Sequence, residues 1–534
     1  MRYASRVTLA VYSVLLACSS TPEGPRPDTP ADTSEPAPPT TPAPAIDARA
    51  QIVRLSMQLA GRRPEPEWVS GEPDAARVAE VLELLLADPA LGQRAAWTWN
   101  ESLHTAAFAE AGSRWDEIPV STRRALNWEP LAGVALVVAE DRPLTDLVTA
   151  QSWPANPALA ELLDRPYAGV GEEWAWTPYT DGRPMAGMLS TAGLWARHAA
   201  DATNFQRRRA NLVAHVFVCA DFFSRDVNFQ LVTTDVASTA VEDAVRTDPA
   251  CITCHAALDP LAGFLGGFGE RSEPSALDPW LRYSPRLAEY AAAGFPPAWY
   301  GTPGSDLSDL GRFIADDPRF PRCMARRTYE SLTGASFDEE PQAEALVSAL
   351  VDGGFKYDAL VRAVVATDAW AAEVEHPSSA DQIATALSHA YGLPDAGAGV
   401  HRSLEEALFD GELRAMSGDT DDEMVLVRNS TPGAGTQLVA EWIARTALPT
   451  ALAADAALPA AERQLLPRSD SPGETEHRDA LAALYLRFLS REVALDGPEV
   501  ERLYALFTAA GSDTQGAYGE VILALSRHPD VGLH

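Results

Sequence analysis

Apolar residues in this chain recur with the 3.6-residue period of an α-helix almost everywhere, and that property limits the folds open to it. In "PDAARVAEVLELLLADP", Val78, Val81, Leu82 and Leu85 follow i, i+3, i+4, i+7, with Asp74 as a candidate N-cap and Pro89 punctuating the end. In "DALAALYLRFLSR", Leu481, Leu484, Tyr485 and Phe488 repeat the pattern, and Val500, Leu503 and Phe507 continue it on a following helix. Strand-like alternation is scarce, the best run being "EMVLVR" at 423–428. The spacing predicts a mostly α protein, a multi-helical array, with loops around 172–181, 272–279 and 394–399. The helices near either end look loosely alike, but no repeat of fixed period is visible.

The N-terminus has a different character. "MRYASRVTLAVYSVLLACSS" carries Arg2 and Arg6, an apolar run from Val7 to Ala17 and then Cys18. Charge order and length match a secretory signal, and the run is too short to span a bilayer. Leu15-Leu16-Ala17-Cys18 resembles the lipobox of bacterial lipoproteins, which implies cleavage before Cys18 and lipid on its thiol; an ordinary secreted protein is the alternative. Several acyl chains on one residue suffice for stable anchoring. Ser19, where the inner-membrane retention pattern has aspartate, implies by the same resemblance the outer membrane. Residues 20–45 are rich in proline, serine and threonine and nearly free of bulky apolar side chains, so they form a semi-rigid tether reaching up to about 80 Å.

From Ile46 onward the composition is globular, and a net charge of −33 excludes nucleic acid and anionic lipid surfaces as partners held by charge. A basic soluble partner suits such a surface, although plain solubility accounts for it as well.

Only five cysteines are present, and two of them stand in Cys251-Ile-Thr-Cys254-His255. C-x-x-C-H places two thiols one helical turn apart, positioned to add across the vinyl groups of haem, with the adjacent histidine meeting iron from the same side. An export signal supplies the compartment in which such attachment takes place in bacteria. A structural zinc site needs a second ligand pair, a thioredoxin-like redox pair needs a surrounding βαβ pattern, and neither is present. The motif therefore predicts one covalent haem c held by Cys251 and Cys254, with His255 as proximal iron ligand. Cys18 being assigned to lipid, Cys219 and Cys323 are left over. An even remainder in an oxidising compartment suggests a disulfide around a loop of about 100 residues, worth on the order of 4 to 5 kcal/mol; two separate buried thiols are the alternative.

The sixth iron position is open in the sequence. Candidates are Met324, Met185 or Met188, His198 or His215, or a site without a protein ligand; methionine favours a high potential, and an open site permits ligand chemistry. Arg207, Arg208 and Arg209 are either partners for haem propionates or a solvated helix face. The carboxylates of "SGDTDDE" at 417–423 lack EF-hand spacing, so they bind calcium by another geometry or form a solvated loop. His104, His376, His389, His401, His477, His528 and His534 are scattered without ligand spacing. No G-x-S-x-G, H-E-x-x-H or phosphate-cradling glycine loop is present in the sequence.

"RPMAGMLSTAGLW", "RRRANLVAHVFVC" and "DPACITCHAALDPLAGF" together resemble domain-of-unknown-function family 1588, the haem-motif segment of planctomycete and myxobacterial cytochrome-like surface proteins. Arg183, Gly187, Cys219, Cys251, Cys254, His255, Asp259, Pro260, Gly263 and Phe264 fit its pattern, and Ala262 is one residue too many before Gly263. Residues 54–103, continued by "EDRPLTDLVTAQSWPANPALAELL", are similar to family 1549. "FPRCMARRTYESLTG" is similar to family 1585, where a cysteine stands at the position of Cys323, and this implies its bridge to Cys219. The resemblance implies an organisation of signal peptide 1–17, lipid-anchored tether 18–46, N-terminal helical domain 47–170, haem segment 171–300 with a cytochrome c-like character, helical segment 301–375 and C-terminal helical domain 376–534. It implies an exported cytochrome-like protein and names no substrate. The expectation is a lipid-anchored monohaem c-type cytochrome of the outer membrane, transferring single electrons to or from a basic redox partner rather than acting as an enzyme. A haem enzyme with an open iron site and a non-catalytic surface scaffold are the alternatives.

Overall fold

The computed structural model describes residues 44–106, 118–199, 205–222, 247, 249–269, 281–286, 294–393, 411–420, 422, 426–429, 433–511 and 513–534. Cys18, the signal run, the tether up to residue 43, His401 and the loops expected at 272–279 and 394–399 lie outside them. Helix takes up 62% of the described residues, in 21 α-helices with a few short 3-10 turns, well above the roughly one-third typical of soluble domains. The protein is mostly α.

The periodic segments form as their spacing predicts. Asp74 caps the helix Ala75–Leu86 by accepting from the Arg77 N–H, and Val78, Val81 and Leu85 are buried while Leu82 sits at the margin. Leu481, Leu484 and Phe488 are buried on Glu474–Leu489, as are Val500 and Leu503 on Pro498–Ala509. The expected strand at 423–428 is not present in its described part, since Leu426, Val427 and Arg428 are irregular and the two apolar ones exposed. Strand pairing occurs instead inside the expected loop 172–181, where Ala175–Thr177 runs antiparallel to Trp153–Ala155. Trp153 is fully buried there and donates its indole N–H to the Glu129 carbonyl, so packing of one large ring overrides a polar local sequence. A second two-residue pair joins Ala298–Trp299 to Thr302–Pro303.

Buried apolar side chains fall into one core running from Ile52 to Trp370 and another from Ala380 to Val531, with a smaller cluster around Leu126 and Leu159. The first helix, Ala48–Ala60, closes the larger core on itself. Arg54 donates to the Ala372 carbonyl at 2.9 Å and the Val374 carbonyl at 2.6 Å, and the Trp370 indole donates to Gln58 Oε1 at 2.8 Å. Between the two cores, Arg94 pairs with Asp381 at 2.5 Å and Gln382 donates to the Met57 carbonyl. No helix among the described residues is long and apolar enough to cross a membrane.

Candidate functional site

Three helices position the C-x-x-C-H motif. The motif itself lies on Pro249–Gly263, with proline at the first position, where its missing N–H is harmless. Arg207–Val218, the arginine helix, packs against the motif helix on one side and against Arg319–Thr333 on another. A disulfide fastens that second contact. Cys219 caps the arginine helix in the left-handed region at φ 51°, and its sulfur lies 2.07 Å from that of Cys323, with the Cα atoms 5.3 Å apart. The two cysteines left over by arithmetic are therefore one bridge, spanning 104 positions that contain the motif.

The motif side chains stay near the surface. Cys251, Cys254 and His255 are all half-buried, Ile252 is 37% exposed, and Cys254 packs against the larger core. Neither thiol is joined in a disulfide. One helical turn after His255, Asp259 Oδ1 meets the imidazole Nδ1 at 3.0 Å. Asp259 also receives Arg207 as a fork, Nε to Oδ1 at 2.5 Å and Nη2 to Oδ2 at 3.1 Å. Burial works to raise the Asp259 carboxyl, but the bonds from His255 and Arg207 outweigh it and hold the group below the usual carboxylate range. An ionised carboxylate can only accept, so the bond is donated by Nδ1–H. Among the described residues Nε2 has no hydrogen-bond partner. Arg207 is itself braced by two rings, its guanidinium carbon lying 5.2 Å from the Phe205 centroid and 5.5 Å from that of Phe295.

The other residues that carry the family resemblance build the frame. Arg183 is buried, pairs with Asp181 and donates to the carbonyls of Ser190 and Leu281, tying 181–190 to 281–283. Gly187 has φ +54°, and a Cβ there would stand 2.3 Å from the Leu147 carbonyl oxygen. A Cβ on Gly263 would stand 2.6 Å from the Phe295 carbonyl oxygen, so this glycine admits the chain that carries Phe295. The additional residue, Ala262, is absorbed in the last turn of the motif helix. It is 1% exposed, and its carbonyl accepts from the Leu265 N–H at 3.0 Å.

Neither expectation for the arginine run fits Arg209. It is fully buried and donates to the carbonyls of Trp195, His198, Phe268 and Gly269, so it is an internal clamp rather than a propionate partner or a solvated face. Arg208 is exposed, and Arg207 serves Asp259. Of the candidates for the sixth position, Met324 and Met188 are buried in the larger core, and Met185 packs at its edge. His198 is buried with Nε2 2.7 Å from the Leu103 carbonyl; burial, and then Arg197, push its pKa well below the ordinary histidine value. His215 is lowered too, first by burial and then by Arg327.

The carboxylates at 417–423 are likewise corrected where they are described. Asp422 is fully buried, accepts from Asn100 through both oxygens at 3.1 and 3.0 Å, and pairs with Arg414 at 3.1 Å. Asp419 accepts the Ala380 N–H and lies 3.7 Å from Arg414. In its described part this is a buried, hydrogen-bonded internal network rather than a solvated loop. Among the described residues no group of three or more His, Cys, Asp or Glu side chains is placed to hold a metal ion. Among the described residues, one pocket of about 360 Å³ lies near His528 and another of about 210 Å³ lies between Arg94, His376 and Arg428.

No family model, curated protein or solved structure matches this chain.

The donor set at the motif fits a covalent haem. It offers two thiols one turn apart on a helix and an adjacent imidazole whose Nδ1 is engaged by a carboxylate. Spacing alone pointed to Cys251, Cys254 and His255. Arg207 as the charge behind Asp259 went unseen, because 52 positions separate them; the four-residue step from His255 to Asp259 was the readable part of the relay.

Proposed function

We propose that this protein is an exported, lipid-anchored monohaem c-type cytochrome that transfers single electrons at the cell envelope. The observation that carries the reading is the His255 ring, with Nδ1 engaged by Asp259 and Nε2 facing no protein partner among the described residues, on the same helix as two thiols outside any disulfide. Metal-binding histidines commonly have that arrangement, with an acceptor behind the ring setting its tautomer and orientation.

Cys251 and Cys254 would hold the porphyrin through two thioethers, each thiol adding S–H across one vinyl double bond with no redox change. His255 would then hold iron through Nε2. The bound group supplies a one-electron Fe(III)/Fe(II) couple. The chain orients the ring through Asp259, neutralises that carboxylate through Arg207 and braces Arg207 with Phe205 and Phe295. Lipid on Cys18 and the proline-rich tether would keep this unit at the outer membrane while letting it meet a basic partner.

A pyridine haemochrome spectrum tests the reading on protein matured in a host that assembles c-type cytochromes. The expected result is the spectrum of thioether-linked haem, abolished by the double substitution Cys251→Ala/Cys254→Ala. An exported, folded protein without haem would leave a helical surface scaffold instead.

A further inference from the structure

The following rests on the haem reading above and concerns what the chain does to such a group. We infer that Asp259 is a positioning residue that lowers the reduction potential of the iron held by His255, and that Arg207 is its counterweight.

The relay is built by sequence spacing and braced by tertiary packing. His255 and Asp259 lie four residues apart on one helix, so their side chains share a face, and Oδ1 sits 3.0 Å from Nδ1. The proximal imidazole therefore leans on a carboxylate, where a backbone carbonyl would offer only a dipole. A carboxylate draws the Nδ1 proton toward itself and increases electron donation from Nε2. Greater donation, and a negative charge near the metal, both favour Fe(III) over Fe(II), so both lower the potential.

Arg207 acts in the opposite sense. Its fork engages both oxygens of Asp259 and draws charge away from the His255 bond. Because Phe205 and Phe295 brace the guanidinium, the balance is held in place instead of fluctuating with solvent. A His–Asp pair serving only to stabilise the helix would have no need of a cation gathered from a second helix. The site so built suits a donor that passes an electron on to an acceptor of higher potential.

The test is the reduction potential of the haem-loaded full chain in Asp259→Asn and Arg207→Gln, each compared with the parent after a pyridine haemochrome spectrum has established covalent haem. Asn keeps an acceptor for Nδ1 and removes the charge. The potential is expected to rise in D259N by at least a tenfold change in the Fe(III)/Fe(II) equilibrium, about 59 mV for one electron. In R207Q it is expected to fall by a smaller amount. Opposite signs are the signature, since a merely structural pair would move both variants alike or neither. Should D259N fail to assemble, R207Q carries the test alone, and an unchanged or raised potential overturns the inference. Covalent haem with shifts of one sign sinks the inference and leaves the haem reading intact; absence of haem in the parent sinks both.

Discussion

Two regions of this molecule pair an arginine with an aspartate and a polar third member, and they do opposite things with the same chemistry. In the internal network, Asp422 is fully buried and its oxygens accept from Asn100, Thr420 and Arg414. Each lone pair faces a donor fixed by the fold, so the group is a strut linking the helix Ala90–Leu103 to Gly411–Ser417. At the motif, Asp259 accepts from Arg207 and from an imidazole whose other nitrogen has no hydrogen-bond partner among the described residues. Both aspartates are buried, but one network is closed and the other ends, among the described residues, on an imidazole nitrogen without a hydrogen-bond partner. The count of satisfied partners distinguishes the two.

The largest expected effect tests the frame that both regions share. Cys219→Ser opens a covalent loop of 104 positions and is expected to cost about 4 to 5 kcal/mol, read as a fall in the denaturant midpoint that reductant reproduces in the parent. Next, Asp422→Ala leaves the buried Arg414 charge facing only the more distant Asp419. A loss of about 3 to 5 kcal/mol is expected. Asp259→Asn is expected to cost only about 1 kcal/mol in the same assay, because Asn keeps the shape and an acceptor oxygen for Nδ1 and Arg207. Equal losses at the two aspartates would remove the distinction drawn here.

A pH dependence sharpens it further. Burial, followed by the charges of Arg54 and Arg428, pushes the His376 pKa down to about 4, and burial drives His534 in the same direction. An unfolded histidine titrates near 6.5, so between about 6.5 and 4 the unfolded chain binds more protons than the folded one. Stability should therefore fall as pH drops through that window, by about 3 kcal/mol from His376. His376→Gln should flatten the slope, as measured by urea midpoints at pH 7 and pH 4.5. A slope unchanged by that substitution would assign the window to other groups.

Helices were the legible part of the fold, because Val78, Val81, Leu85 and their counterparts on Glu474–Leu489 bury the face their spacing marks. The strand pair at 153–155 and 175–177 was not, since it depends on where Trp153 packs, a tertiary fact with no local signature. The C-x-x-C-H spacing was legible, and the structure places it on one helix, Pro249–Gly263. Arg207, Arg209 and Arg183 were not, as a charged residue in a sequence looks solvated until the carbonyls and carboxylates that receive it are placed. The acidic run at 417–423 misled for the same reason, its partners Asn100 and Arg414 being one distant in sequence and one without a recognisable pattern.

The most direct measurement is the intact mass of the protein purified from envelopes of a cytochrome-assembling host, beside Cys251→Ser/Cys254→Ser. The account predicts one haem's mass on the parent, retained under denaturation and absent from the variant. A parent that reaches the envelope folded, with Cys219 joined to Cys323 and no added mass at the motif, would contradict it.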